Sequence, residues 1–154
     1  MRPRWLSTKG PLEDSTSVKL PAILLIEPND ELRNSRLLLL SCVDSAAEVG
    51  TTQSAIYEFP ESTPIRLVVI AIGGHADTEH VAFLARHRWP KAKILLIGST
   101  CGDLPDSLYD DIIDPCCNPV GFVEVSRRLL KQSSENTACE NRISKPDGLD
   151  DDRP

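Results

Sequence analysis

The sequence predicts an α/β fold in three layers, a five-stranded parallel sheet between two layers of helices. Two observations carry that expectation. The runs AILLI (22–26), IRLVVIAI (65–72) and KILLIG (93–98) are apolar along their length rather than at alternate positions, as strands covered on both faces must be. Between them lie longer amphipathic stretches that open on capping residues. Strands alternating with helices imply right-handed crossovers and therefore parallel pairing.

The elements follow in order. AILLI is the first strand. In EPNDELRNSRLLLLSC, Asn29 or Asp30 can cap a helix whose apolar side is Leu32, Leu37, Leu39 and Leu40. AAEVGTT (46–52) is a weaker strand. Ser54 to Phe59 can form a short helix, confined by Pro60 and Pro64. IRLVVIAI is the central strand. Thr78 can cap the helix EHVAFLARHR, with Val81, Leu84 and Ala85 on one face. KILLIG is the fourth strand, DLPDSLYD (103–110) an interrupted helix and DIID (111–114) a short fifth strand. Asn118 can cap a last helix with Val120, Val123, Leu129 and Leu130 at helical spacing and Arg127, Arg128 and Lys131 near its C-terminal end. Five strands thus alternate with five helices.

The 154 residues amount to one domain with flanks. Residues 1–18 are rich in Pro, Ser, Thr and charge, which predicts a flexible segment. Residues 19–132 form the folded domain, and 133–154, closing on Asp150, Asp151 and Asp152, read as a disordered acidic tail with few large apolar side chains. A net charge of −6 argues against a general nucleic-acid surface. No stretch approaches the roughly 18 apolar residues that span a bilayer, and the N-terminus lacks a signal-peptide core. A cytoplasmic protein with no membrane partner is expected, and its five cysteines are read as reduced thiols.

A doubly wound sheet places its crevice at the carboxyl ends of the strands. Those ends read Glu27-Pro28-Asn29-Asp30, Ala71-Ile72-Gly73, Gly98-Ser99-Thr100 and Asp114-Pro115. With ILLIEPNDELR, LVVIAI, ILLIGS and DIIDP in that order, residues 20–132 resemble the receiver domain of two-component response regulators. The resemblance implies a flavodoxin-like, CheY-like topology with strand order 2-1-3-4-5. It also implies a site in which paired acids after the first strand and an Asp ending the third hold a divalent cation. In that site the Asp attacks a phosphoryl group, a Lys after the fifth strand neutralises charge, and a hydroxyl after the fourth strand reports the event.

This chain departs from that pattern position by position. Glu27 keeps the first acid, and Pro28 replaces the second. Ala71 stands at the phospho-acceptor. Gly98 stands at the switch hydroxyl, with Ser99 beside it, and Asp114 replaces the Lys with the opposite charge. The expectation is a pseudo-receiver that accepts no phosphate, holds no metal and needs no cofactor, with Glu27 and Asp114 at a solvent-facing rim. It would not be an enzyme. It would act in signal transduction as a protein–protein interaction or regulatory module, its partner another signalling protein or a second copy of itself.

The resemblance places the interaction face on the fourth helix, fifth strand and fifth helix. There Asp106, Tyr109, Asp110 and Asp111 lie beside Arg127, Arg128 and Lys131, a pattern of complementary charge.

Other candidate chemistry reads more plainly. His75, Asp77, His80 and His87 cluster after the third strand, but no tight helical ligand pair exists among them. Cys116-Cys117 before the last helix could be reactive thiols, with no Cys/His arrangement to support them. GSTCGD (98–103) lacks the Lys and spacing of a phosphate loop. The alternative reading is a small flavodoxin-like enzyme or nucleotide binder unrelated to phosphorelay. It needs a nucleophile or glycine-rich phosphate loop at the strand ends.

Overall fold

A computed structural model describes residues 20–44, 46–49, 54–71, 78–98 and 104–143. The chain alternates β1 (Ile23–Ile26), α1 (Asp30–Ser41), β2 (Ala46–Val49), α2 (Ser54–Tyr57), β3 (Leu67–Ala71), α3 (Thr78–Arg88), β4 (Lys93–Ile97), a 3-10 turn (Asp106–Leu108), β5 (Asp111–Ile113) and α4 (Pro119–Ile143). Every neighbouring pair of strands is parallel, and the order across the sheet is β2-β1-β3-β4-β5.

Strand periodicity divides the core. Leu24, Ile26, Val68, Ile70, Ile94 and Leu96 face one side, where Val81, Ala82 and Ala85 of α3 and the ring of Trp89 pack on them. Ile23, Leu25, Leu67, Val69, Ala71, Leu95 and Ile97 face the other, under Leu40 of α1 and Phe122, Leu129 and Leu130 of α4. β1 and β3 are buried throughout, and β4 is buried after Lys93. β5 is half-exposed along its length.

The helical layers correct the sequence expectation. A full flavodoxin-like sandwich with five full helices is not what the described residues build: among them only α1, α3 and α4 are full-length helices. The second crossover helix is a single turn, Ser54–Tyr57, ahead of Pro60 and Pro64, which cannot continue a helix. The fourth is reduced to the 3-10 turn Asp106–Leu108, closed by the Leu108 amide on the Pro105 carbonyl at 2.9 Å. Asp110 explains why it stops there. Its amide donates to the Ile94 carbonyl at 2.9 Å and its carboxylate accepts from the Ile94 amide at 2.8 Å. The chain is thus clamped to β4 two residues after the turn, which ends the helical geometry of the described residues 104–110 at Leu108.

The last helix is longer than its apolar pattern. Asn118 caps it, its side chain accepting from the Gly121 amide at 2.7 Å, and Pro119 opens it, where a missing amide costs nothing. It then runs past the expected boundary at 132. Ser133, 1% exposed, donates to the Lys91 carbonyl at 3.2 Å. Ser134 accepts from Arg66 at 2.5 Å, and Arg66 also holds Asp44 at 2.7 Å. No helix among the described residues is long and apolar enough to cross a membrane.

Candidate functional site at the strand ends

Glu27 leaves β1 pointing inward, only 2% exposed. One carboxylate oxygen accepts from the Asn29 amide at 2.9 Å, and the other pairs with Arg36. Arg36 reaches it from α1 and is itself only 12% exposed. Arg33, one turn earlier, donates through Nε to the Glu27 carbonyl at 3.0 Å. The start of α1 is fixed by Asn29, whose side chain accepts from the Glu31 and Leu32 amides at 3.0 and 3.1 Å. The rim position expected for Glu27 is therefore corrected: the carboxylate is buried against a guanidinium of its own chain.

Asp114 behaves as expected of a rim residue. It is exposed, with one oxygen accepting from the Cys116 amide at 2.7 Å and its carbonyl accepting from the Cys117 amide at 2.9 Å. Arg36 and Asp114 both line a shallow cleft of about 70 Å³, with Cys117 and Phe122 among its walls. The guanidinium that pairs with Glu27 thus lines the same cleft as the exposed Asp114.

Ala71 ends β3 in register with Ile97, 5% exposed and part of the core. Its methyl group has no oxygen to offer. Pro28 is half-buried, and Gly98 donates its amide to the Ile113 carbonyl at 3.0 Å, closing the sheet edge. Ser99, His75 and Asp77 lie outside the described residues.

A hard divalent cation takes six or more oxygen ligands. The residues at these strand ends do not fit one: Pro28 and Ala71 carry no side-chain oxygen, and both oxygens of Glu27 are engaged by Asn29 and Arg36. Among the described residues no group of three His, Cys, Asp or Glu side chains could hold a metal.

The charges expected on an interaction face are largely engaged within the chain. Asp111 pairs with Arg128. Asp110 pairs with Arg86 at 3.0 Å and Lys93 at 3.3 Å. Burial opposes its charge, but the Ile94 amide, Arg86 and Lys93 outweigh burial and hold its carboxyl below the ordinary value. Asp106 accepts from the Tyr109 hydroxyl at 3.0 Å. That hydrogen bond, then burial, then the adjacent negative charge push the Tyr109 hydroxyl above its ordinary value. Arg127 and Lys131 are exposed and make no ion pair among the described residues. Cys42, Cys116 and Cys117 are free thiols, with the Cys117 Sγ seated 2.9 Å from where a side chain at Gly121 would begin.

Arg36 is the residue the sequence reading missed. In DELRNSRLLLLS, Arg33, Arg36, Leu37 and Leu40 recur at i, i+3, i+4 and i+7, which puts two guanidinium groups on the buried face of the helix. A basic residue inside an apolar stripe needs a buried partner, and Glu27 was the available acid.

No family model and no curated protein matches the chain. Solved structures do. A protein described as an adenylate cyclase from Rhodopirellula baltica superposes with a TM-score of 0.69 at 15% identity, over 82% of this chain and 99% of that one. A CheY-like response regulator receiver domain protein from Methanospirillum hungatei gives 0.64 at 16% identity, covering 76% and 98%. The fold is that of a response-regulator receiver. A receiver protein from Sinorhizobium medicae gives 0.60 at 18% identity, covering 75% and 98%. At these identities the likeness concerns the receiver fold alone.

Proposed function

We propose that this chain is a pseudo-receiver, an interaction or regulatory module in signal transduction that accepts no phosphoryl group and catalyses no reaction. The observation that carries the reading is the Glu27–Arg36 pair beside Ala71. The acid that would help hold a cation is neutralised by the chain itself, and the position of the nucleophile is a core methyl group. Asp114 in place of a Lys adds a negative charge where an incoming phosphoryl group would need a positive one. Function then rests on what the surface binds, a signalling protein or a second copy.

The test is incubation with acetyl phosphate and Mg²⁺, followed by intact mass measurement. The expected result is the unmodified mass, and no Mg²⁺-dependent rise in melting temperature. An acid-labile phospho-adduct would overturn the reading.

A further inference from the structure

Part of α3 is uncovered beside the 3-10 turn. Glu79, His80, Phe83 and His87 recur at three- and four-residue spacing on that helix, along one exposed stripe. Phe83 is 56% exposed, and its ring stacks on His87 with centroids 6.4 Å apart and planes 8° from parallel. Across from it stands Leu108 of the 3-10 turn, half-buried. Glu79, His80, Phe83 and Leu108 line a groove of about 340 Å³, room for a large anchoring side chain.

An exposed Phe alone says little. Here it forms the floor of a groove with a second apolar wall and a charged rim. Glu79 and Asp106 are both exposed, and among the described residues neither pairs with a cation, although Asp106 accepts from the Tyr109 hydroxyl. Glu27, Asp44, Asp110 and Asp111 are each paired with an Arg or Lys. Glu79 lines the groove and Asp106 opens the turn that carries Leu108, two carboxylates beside the apolar floor on a chain of net charge −6. Apolar floor and acidic rim together complement a helix with an apolar face and basic flanks.

We propose that the groove between α3 and the 3-10 turn docks a basic amphipathic helix of a partner protein, an aromatic or leucine anchor against Phe83 and Leu108 and Lys or Arg beside Glu79 and Asp106. The inference rests on the reading of the chain as an interaction module but not on the loss of the phospho-acceptor. A phospho-adduct would therefore sink that reading and leave the groove standing.

The experiment titrates the full chain, followed by its backbone amide spectrum, with a helical peptide of Leu, Trp and Lys. A control peptide replaces every Lys with Glu. The Lys peptide is expected to shift amides of Thr78–Arg88 and Asp106–Tyr109. Phe83→Ser, and separately Glu79→Lys with Asp106→Lys, should each weaken binding about tenfold. The paired charge reversal keeps the test decisive if Phe83→Ser fails to fold. No shift on α3 at millimolar peptide overturns the proposal. So do equal binding of the Glu peptide, shifts mapping to another face, or unchanged affinity in the variants. Self-association that Phe83→Ser abolishes would assign the groove to a second copy and also overturn it.

Discussion

Glu27 and Arg36 make a buried ion pair, and such a pair is judged by what happens when one member is removed. Taking two charges out of water costs several kcal/mol each, offset only while both are present. Arg36→Met is therefore expected to destabilise the fold by about 3–5 kcal/mol, because it strands the Glu27 carboxylate at 2% exposure. Glu27→Gln together with Arg36→Met should recover most of that loss. Urea denaturation of the two singles and the double checks it, and strictly additive losses would show that the side chains are not coupled. Ala71→Asp is a second test at this scale. It buries a carboxylate in the core beside Ile97, with Asp114 rather than a Lys across the site. It should lower stability by about 1–3 kcal/mol or more without restoring phosphorylation, as intact mass after acetyl phosphate would show. That β3 ends on Ala71 rather than on an acid was legible in the sequence IAIGG. The burial of Glu27 was not, because strand-end position alone does not say whether an acid finds a cation on the next helix.

Asp110 ties the 3-10 turn, β4 and β5 together through Ile94, Arg86 and Lys93. Its carboxyl is held below the ordinary value in the folded state. The stability it contributes is therefore present above the unfolded-state value near 3.8 and lost as pH falls through the lower folded value. Asp110→Asn should flatten the acid limb of the melting-temperature profile, and a parallel profile in wild type and variant would count against the coupling. α4 carries the other element-scale expectation. A chain ending at 132 loses the Ser133 bond to Lys91 and the Ser134 bond to Arg66, and should lose about 1–3 kcal/mol as buried groups go unpaired. A chain cut at 132 that melts like the full one would refute this.

These two elements also show where sequence reading stops. The apolar runs 22–26, 65–72 and 93–98 mark β1, β3 and β4 because burial on both faces leaves no other composition. The end of α4 is set differently. QSSENTACENRI offers little to bury, but no Gly or Pro stands between Gly121 and Pro146, so nothing stops the helix until the residues before that proline. The fourth crossover fails for the opposite reason. DLPDSLYD has helical residues, but the clamp of Asp110 on Ile94 is a contact between distant segments that local propensity does not contain.

For the molecule as a whole, the two faces of the sheet are unequally covered. α1 and α4 pack over one face, while α3 is the only full helix among the described residues on the other. The covered side contains the strand-end cleft of Arg36 and Asp114, and the thinly covered side contains the groove of Phe83 and Leu108. If docking uses that groove, peptide binding should be indifferent to Arg36→Met in any preparation that remains folded. Coupling between the two would show instead that the sheet transmits the state of the strand ends.

Arg36 has one more consequence. A metal ion is borrowed from solution and can be withheld, so a site that needs one registers the surroundings. A guanidinium tethered by the backbone is never diluted, exchanged or chelated away. On the proposed reading, the strand-end site has its input soldered to a fixed value, and a partner's signal enters elsewhere on the surface.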